Sequence, residues 1–133
     1  GRYTLLEQGA LDDILPLALE KGIGILLGGV FNSGILATGA VPGAKYNYRD
    51  APPAILGTVR RIEAVCARHG VRLADAALHF GLAHPAVSSV VLGAGSPEEV
   101  QRNLSALERP VPAAFWAEMR DTGLLRPDAP VPA

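Results

Sequence analysis

The sequence predicts an α/β fold built on a parallel sheet, and three observations predict it. Short apolar segments alternate along the chain with amphipathic helical patterns. The candidate strands are apolar throughout instead of alternating, as strands buried on both faces are. The stretch VVLGAGSPEEVQRNL, residues 90–104, carries an apolar run into a glycine turn and then an N-capped helix. Strand, turn and helix in that order make the repeating unit of a parallel sheet.

Taken in order, RYTLL (2–6) reads as a short strand, with an aromatic, a β-branched residue and leucines. LDDILPLALEKG (11–22) reads as a helix: Leu11, Ile14, Leu15, Ala18 and Leu19 follow helical spacing, and Gly22 is a stop signal. Pro16 is expected to weaken or kink it. IGILL (23–27) is a buried-strand candidate. A long Gly- and Pro-rich connection follows over 28–53; loops of that length are usually functional or disordered.

AILGTVRRIEAVCARHG (54–70) is a clear amphipathic helix. Ile55, Leu56, Val59, Ile62, Val65 and Cys66 form its apolar stripe, Arg60, Arg61, Glu63 and Arg68 lie off it, and Gly70 closes it. LADAALHFGLAH (73–84) is a second helix, SSVVLG (88–93) a strand, SPEEVQRNLSAL (96–107) a helix and PAAFWAEMRDTG (112–123) a last helix. The tail is too rich in proline to be regular. The order is β-α-β-loop-α-α-β-α-α. Three strands would leave two bare edges, which proteins avoid, so the order itself suggests part of a larger sheet or barrel. The opening GRYTLLEQ, without Met and strand-like almost at once, reads as the start of a piece cut from something longer.

Composition narrows the function classes. At 133 residues and 49% apolar content, the chain is expected to form one partial domain over 1–133 with a proper core. Net charge is −1 and Lys and Arg are scattered, which argues against a nucleic-acid partner. The single Cys66 excludes an internal disulfide and fits a reducing compartment. No apolar run reaches membrane-spanning length and no signal peptide is visible, so no membrane partner and a cytoplasmic location are expected. No His, Cys or Asp spacing suggests a metal.

The quoted stretch has two readings. Gly93, Ala94 and Gly95 leave room for a ligand at the backbone. Ser96 and Pro97 then open a helix whose free N–H groups could hold a phosphate. Alternatively, Ser96 and Glu99 make an S-x-x-E capping box, and Glu98 and Glu99 already complement the helix dipole, which weakens anion binding. The stretch also lacks the third glycine of the dinucleotide fingerprint. A second turn, LLGGVFNSGIL (26–36), likewise follows an apolar strand. Gly28, Gly29 and Gly34 in it serve either a ligand or plain turn geometry. In parallel α/β folds, ligands sit beyond the carboxyl ends of the strands, so the two turns together outweigh either alone.

GRYTLLEQ, GGVFNSGIL, LHFGLAHPAVSSVVLGAGSPEEVQRNL and FWAEMRDTGLL together resemble the C-terminal half of an aldo-keto reductase. The likeness is greatest to the branch of L-fucose and D-threo-aldose dehydrogenases. The resemblance implies a (β/α)8 TIM barrel, with residues 2–6, 23–27 and 88–92 as strands six, seven and eight of an incomplete barrel. It implies NAD or NADP lying extended across the barrel mouth. The loop after strand seven would supply Gly28, Gly29, Phe31, Asn32 and Gly34 around the nicotinamide and pyrophosphate. Many members carry an aromatic where this chain has Gly28. The loop after strand eight would supply Gly93, Ala94, Gly95 and Ser96, with Glu99, Arg102 and Asn103 near the adenosine; Asn103 would bond adenine. NADP-preferring members place Lys and Arg where this chain has Gly93 and Glu99, so the resemblance leans to NAD.

The family's catalytic Asp, Tyr, Lys and His come from earlier strands. The resemblance therefore implies a cofactor-binding half that needs the missing N-terminal half of the barrel and is inactive alone, within an oxidoreductase acting on a small aldehyde or aldose. Nothing here replaces the tetrad. Tyr3 reads as packing, Tyr46 and Tyr48 as loop residues facing a pocket or solvent, and His69 as a helix-end cation. His79 and His84 read as structural or exposed. Cys66, Phe115 and Trp116 read as core. The alternative from another class is a non-catalytic half-barrel module that pairs with another chain and binds no nucleotide. A phosphosugar-binding barrel fragment is a third, against which Glu98 and Glu99 count.

Overall fold

A computed structural model describes residues 2–133. The chain runs through α1 (Ile14–Lys21), β1 (Ile25–Gly28), α2 (Ile35–Thr38), β2 (Lys45–Tyr46), β3 (Arg49–Asp50), α3 (Pro53–His69), α4 (Leu73–Ala83), β4 (Val87–Val91), α5 (Pro97–Glu108) and α6 (Ala113–Asp121). Strands β1 and β4 pair in parallel, with Leu26 opposite Ser89, Leu27 opposite Val90 and Gly28 opposite Val91. Among the described residues neither strand has a second neighbour. The expected α/β alternation and parallel pairing are present in this pair.

The expected first strand is not. Tyr3, Thr4 and Leu5 are buried, yet residues 4–6 bend. Their hydrogen bonds are spent locally. The Thr4 N–H donates to the Glu7 carbonyl at 2.8 Å, and the Thr4 hydroxyl accepts from the N–H groups of Leu6 and Glu7 at 3.1 and 3.0 Å. An apolar, β-prone pentapeptide becomes a strand only when a partner accepts its ladder bonds. Here a threonine-centred turn takes them instead.

The first helix also starts later than its spacing suggests. The Asp13 carboxylate accepts the N–H of Ile14, so α1 begins there and Pro16 falls in its first turn. A missing N–H is harmless at that place, and the expected kink is absent. Gly22 closes the helix with φ 67°. The long helix matches its pattern closely: Val59, Ile62, Val65 and Cys66 of α3 are buried and Gly70 caps it at φ 64°. Burial raises the Cys66 thiol to about 11, as expected of a core cysteine.

Helix α4 lies against the sheet. Its Gly81 permits the approach, since a Cβ there would stand 3.0 Å from Leu27 Cδ2. Around α4 the core is aromatic. Tyr3 stacks on Phe80 at 4.8 Å, Phe80 sits 6.4 Å from Trp116, and Phe115 meets Trp116 edge-on at 4.8 Å. Phe115 and Trp116 are fully buried and thus pack the last helix. On the other face of the parallel pair Leu26 is 70% exposed and Val91 57%.

Candidate functional site

Both glycine turns leave the same end of the parallel pair, and they line one cleft of about 660 Å³. Phe31 and Gly34 come from the turn after β1, followed by Ala37 and Thr38 of α2. Gly93 comes from the turn after β4, and Glu99, Arg102, Asn103 and Ala106 from α5. Spacings of three and four put these α5 residues on one face, as expected from sequence. A third wall is the start of α4, with Arg72, Leu73, Ala74 and Asp75, and Arg109 lines the cleft as well.

The first turn is built by backbone conformation. Gly29, Asn32, Ser33 and Gly34 have φ of 70°, 50°, 67° and 122°. Two of these positions hold side chains in the left-handed region, which is costly for anything but glycine or asparagine. The turn is held from below. Asn32 is buried and its Nδ2 donates to Glu7 Oε2 at 2.5 Å, while Ile35 and Leu36 are fully buried. The Asn32 Oδ1 has no partner among the described residues.

The second turn is built by capping. The Ser96 hydroxyl accepts the Glu99 N–H at 3.2 Å, and Glu99 Oε2 accepts the Gly95 N–H at 2.6 Å. Half of the capping box read from S-x-x-E is present: Ser96 caps the Glu99 N–H, while Glu99 reaches back to the Gly95 N–H instead of that of Ser96. Arg102 Nη2 stands 4.0 Å from Glu99 Oε1.

The sequence-derived site residues separate into two groups. Phe31, Gly34, Gly93, Glu99, Arg102 and Asn103 meet in the cleft. Gly28 faces a different hollow, beside Arg2, Tyr3 and Glu7, and Gly29 adjoins the Arg2 side chain. Asn32 points into the core, and Ala94, Gly95 and Ser96 form the turn behind Gly93 without lining the cleft. Sequence reading missed Arg72, Asp75 and Arg109. Arg109 lies a turn beyond Ala106, so the α5 periodicity could have found it. Nothing local marks Arg72 or Asp75, which arrive by tertiary packing.

Asp75 is buried and grips Arg109 with two bonds, Nε to Oδ2 at 2.7 Å and Nη2 to Oδ1 at 3.0 Å. That carboxylate raises the Arg109 guanidinium further above its ordinary range. His79 adds a second tie, its Nε2 lying 3.1 Å from the Ala106 carbonyl, which makes it structural. Among the described residues no Tyr, Lys or His lines the cleft. Tyr48 is 86% exposed at a hairpin tip, and Tyr46 is half-buried, its phenol raised by burial and by Glu7. Among the described residues no three His, Cys, Asp or Glu side chains gather as a metal site. Among the described residues no helix is long and apolar enough to cross a membrane.

The aldo/keto reductase family profile matches residues 1–123. The chain belongs to the aldo/keto reductase family. Pyridoxal 4-dehydrogenase of Microbacterium luteolum is 42% identical over 125 residues, covering 94% of this chain and 36% of the relative. D-threo-aldose 1-dehydrogenase of a Pseudomonas species is 38% identical over 126 residues, covering 94% and 38%. Among solved structures, an aldo-keto reductase from Bacillus halodurans in its holo form superposes with a TM-score of 0.68. It shares 24% identity, over 94% of this chain and 41% of that one, and carries the same fold. The aldo/keto reductase chain described here thus spans about two fifths or less of the length of these relatives.

Proposed function

We propose that this chain is the cofactor-binding, C-terminal half of a (β/α)8 aldo/keto reductase barrel, and that its cleft takes the adenosine end of NAD(P). The observation that carries the reading is the convergence of two glycine turns, from the carboxyl ends of two parallel strands, on one cleft. The lining suits the group. Asn103 offers an amide to a base edge, and three arginines against two carboxylates leave the wall with one net positive charge for phosphates. Gly28, Gly29 and Asn32 would lie toward the nicotinamide, on the side of Arg2 and Glu7. Ala94, Gly95 and Ser96 would support Gly93 from behind.

Glu99 favours NAD over NADP in this reading. A ribose hydroxyl can donate to its carboxylate, whereas a 2′-phosphate beside it is repelled. The bound cofactor would accept a hydride from an aldose in its oxidised form, or give one to an aldehyde in its reduced form. Among the described residues no Tyr, Lys or His lines the cleft, its arginines keep their protons, and its two carboxylates stand beside arginines. In this reading the proton donor comes from the other half of the barrel, and the chain alone binds nucleotide without turnover. The substrate class is a small aldehyde or aldose; the two relatives are named for pyridoxal and for D-threo-aldose. The buried, unpaired Cys66 supports a reducing, cytoplasmic setting.

Calorimetric titration with NAD and NADP, alongside a dehydrogenase assay with aldoses, tests this reading. Saturable binding without turnover is expected. Robust turnover by this chain would overturn the division of labour. Absence of binding to either nucleotide would favour a non-catalytic half-barrel that pairs with another chain, a reading that the bare Leu26 and Val91 face supports.

A further inference from the structure

Three arginines line the cleft, and their situations differ. Arg109 is held by Asp75 in a two-bonded pair. Arg102 stands 4.0 Å from Glu99. Arg72, at the start of α4, makes no ion pair or side-chain hydrogen bond among the described residues, although it lines the same cleft as Glu99, Arg102 and Asn103. Each cleft carboxylate thus has an arginine of its own, and the net positive charge of the cleft rests on Arg72. An unpaired guanidinium on a cleft wall is a ready ligand for a phosphate, which it can meet with two parallel N–H bonds.

We propose that Arg72 is the phosphate-binding residue of this cleft, reaching from the α4 wall to a nucleotide held between the glycine turns and α5. The inference rests on the nucleotide-binding reading above and adds to it a residue that neither the sequence motifs nor the turns indicate. Two phosphate groups could be its target: the pyrophosphate common to both cofactors, or the 2′-phosphate of NADP. In the second case Arg72 opposes Glu99, and the balance between them sets cofactor choice.

Calorimetric titration of the wild-type chain, Arg72→Gln and Arg72→Lys with NAD and NADP distinguishes these. Arg72→Gln is expected to weaken NADP binding about tenfold or more, and Arg72→Lys to keep part of it. An equal loss for NAD identifies the pyrophosphate as the target, and a loss confined to NADP identifies the 2′-phosphate. Wild-type binding should also weaken with added salt, and Arg72→Gln binding less so. Because Arg72 is exposed and unpaired, circular dichroism of the variants should match wild type. Unchanged affinity of Arg72→Gln for both nucleotides, with wild type binding normally, overturns this inference alone. Failure of wild type to bind either nucleotide overturns it together with the reading beneath it.

Discussion

The two long walls of the cleft are held in opposite ways. The wall after β1 is rooted: Asn32 is buried against Glu7, and Ile35 and Leu36 of α2 are wholly inside the core. The wall made by α5 is clipped on. Of its residues only Ala106 is buried, while Val100, Leu104 and Leu107 stay largely exposed. Two side-chain ties from α4, His79 to the Ala106 carbonyl and Asp75 to Arg109, keep it in place. The difference teaches that one wall has the stability of the core and the other has a local stability of its own. A ligand between them would be gripped mainly by ordering the second.

That contrast can be broken from the rooted side first. Leu36→Ala should lower global stability by about 2–5 kcal/mol, the usual range for emptying a fully buried leucine site, as read by urea denaturation. A loss near zero would mean that the first wall is not part of the core. Asp75→Ala acts on the clipped side. It should speed amide exchange across Pro97–Glu108 while the amides of Pro53–His69 stay protected, measured by hydrogen exchange with mass readout. Uniform loss of protection would show α5 to be as rooted as α2. Ser96→Ala removes the helix cap and should destabilise by about 1 kcal/mol, with the effect again confined to α5.

The smallest effect concerns pH. His84 ends α4 and its Nδ1 accepts the Ala86 N–H at 3.0 Å. Burial depresses its pKa below the ordinary 6.5. The unfolded chain therefore binds a proton in a range where the folded one does not, and stability falls as pH drops below about 6.5. Thermal midpoints measured from about pH 8 down to about pH 5 should show this decline. His84→Asn should flatten it.

How much of this was legible differs between the walls too. The clipped wall was nearly all in the sequence. The S-P-E-E cap and the spacing of Glu99, Arg102 and Asn103 are local signals, and α5 answers to them. The rooted wall was half legible. Glycines at 29 and 34 announce a turn, but Asn32 facing inward is decided by Glu7, a residue 25 positions away. The strand expected over 2–6 failed for a local reason. Its residues are apolar enough, and what sets their shape is the turn around Thr4, which takes up their backbone bonds locally. Arg72 and Asp75 lie in a plain helix start, and only the packing of α4 beside α5 brings them to a site.

The parallel pair carries one more consequence. Neither Ile25–Gly28 nor Val87–Val91 contains a charged residue or a proline to blunt its outer edge. Such edges invite further chains to add on, strand by strand. Purified material should accordingly scatter light increasingly as it is concentrated, and a lysine placed at Leu26 should keep it clear.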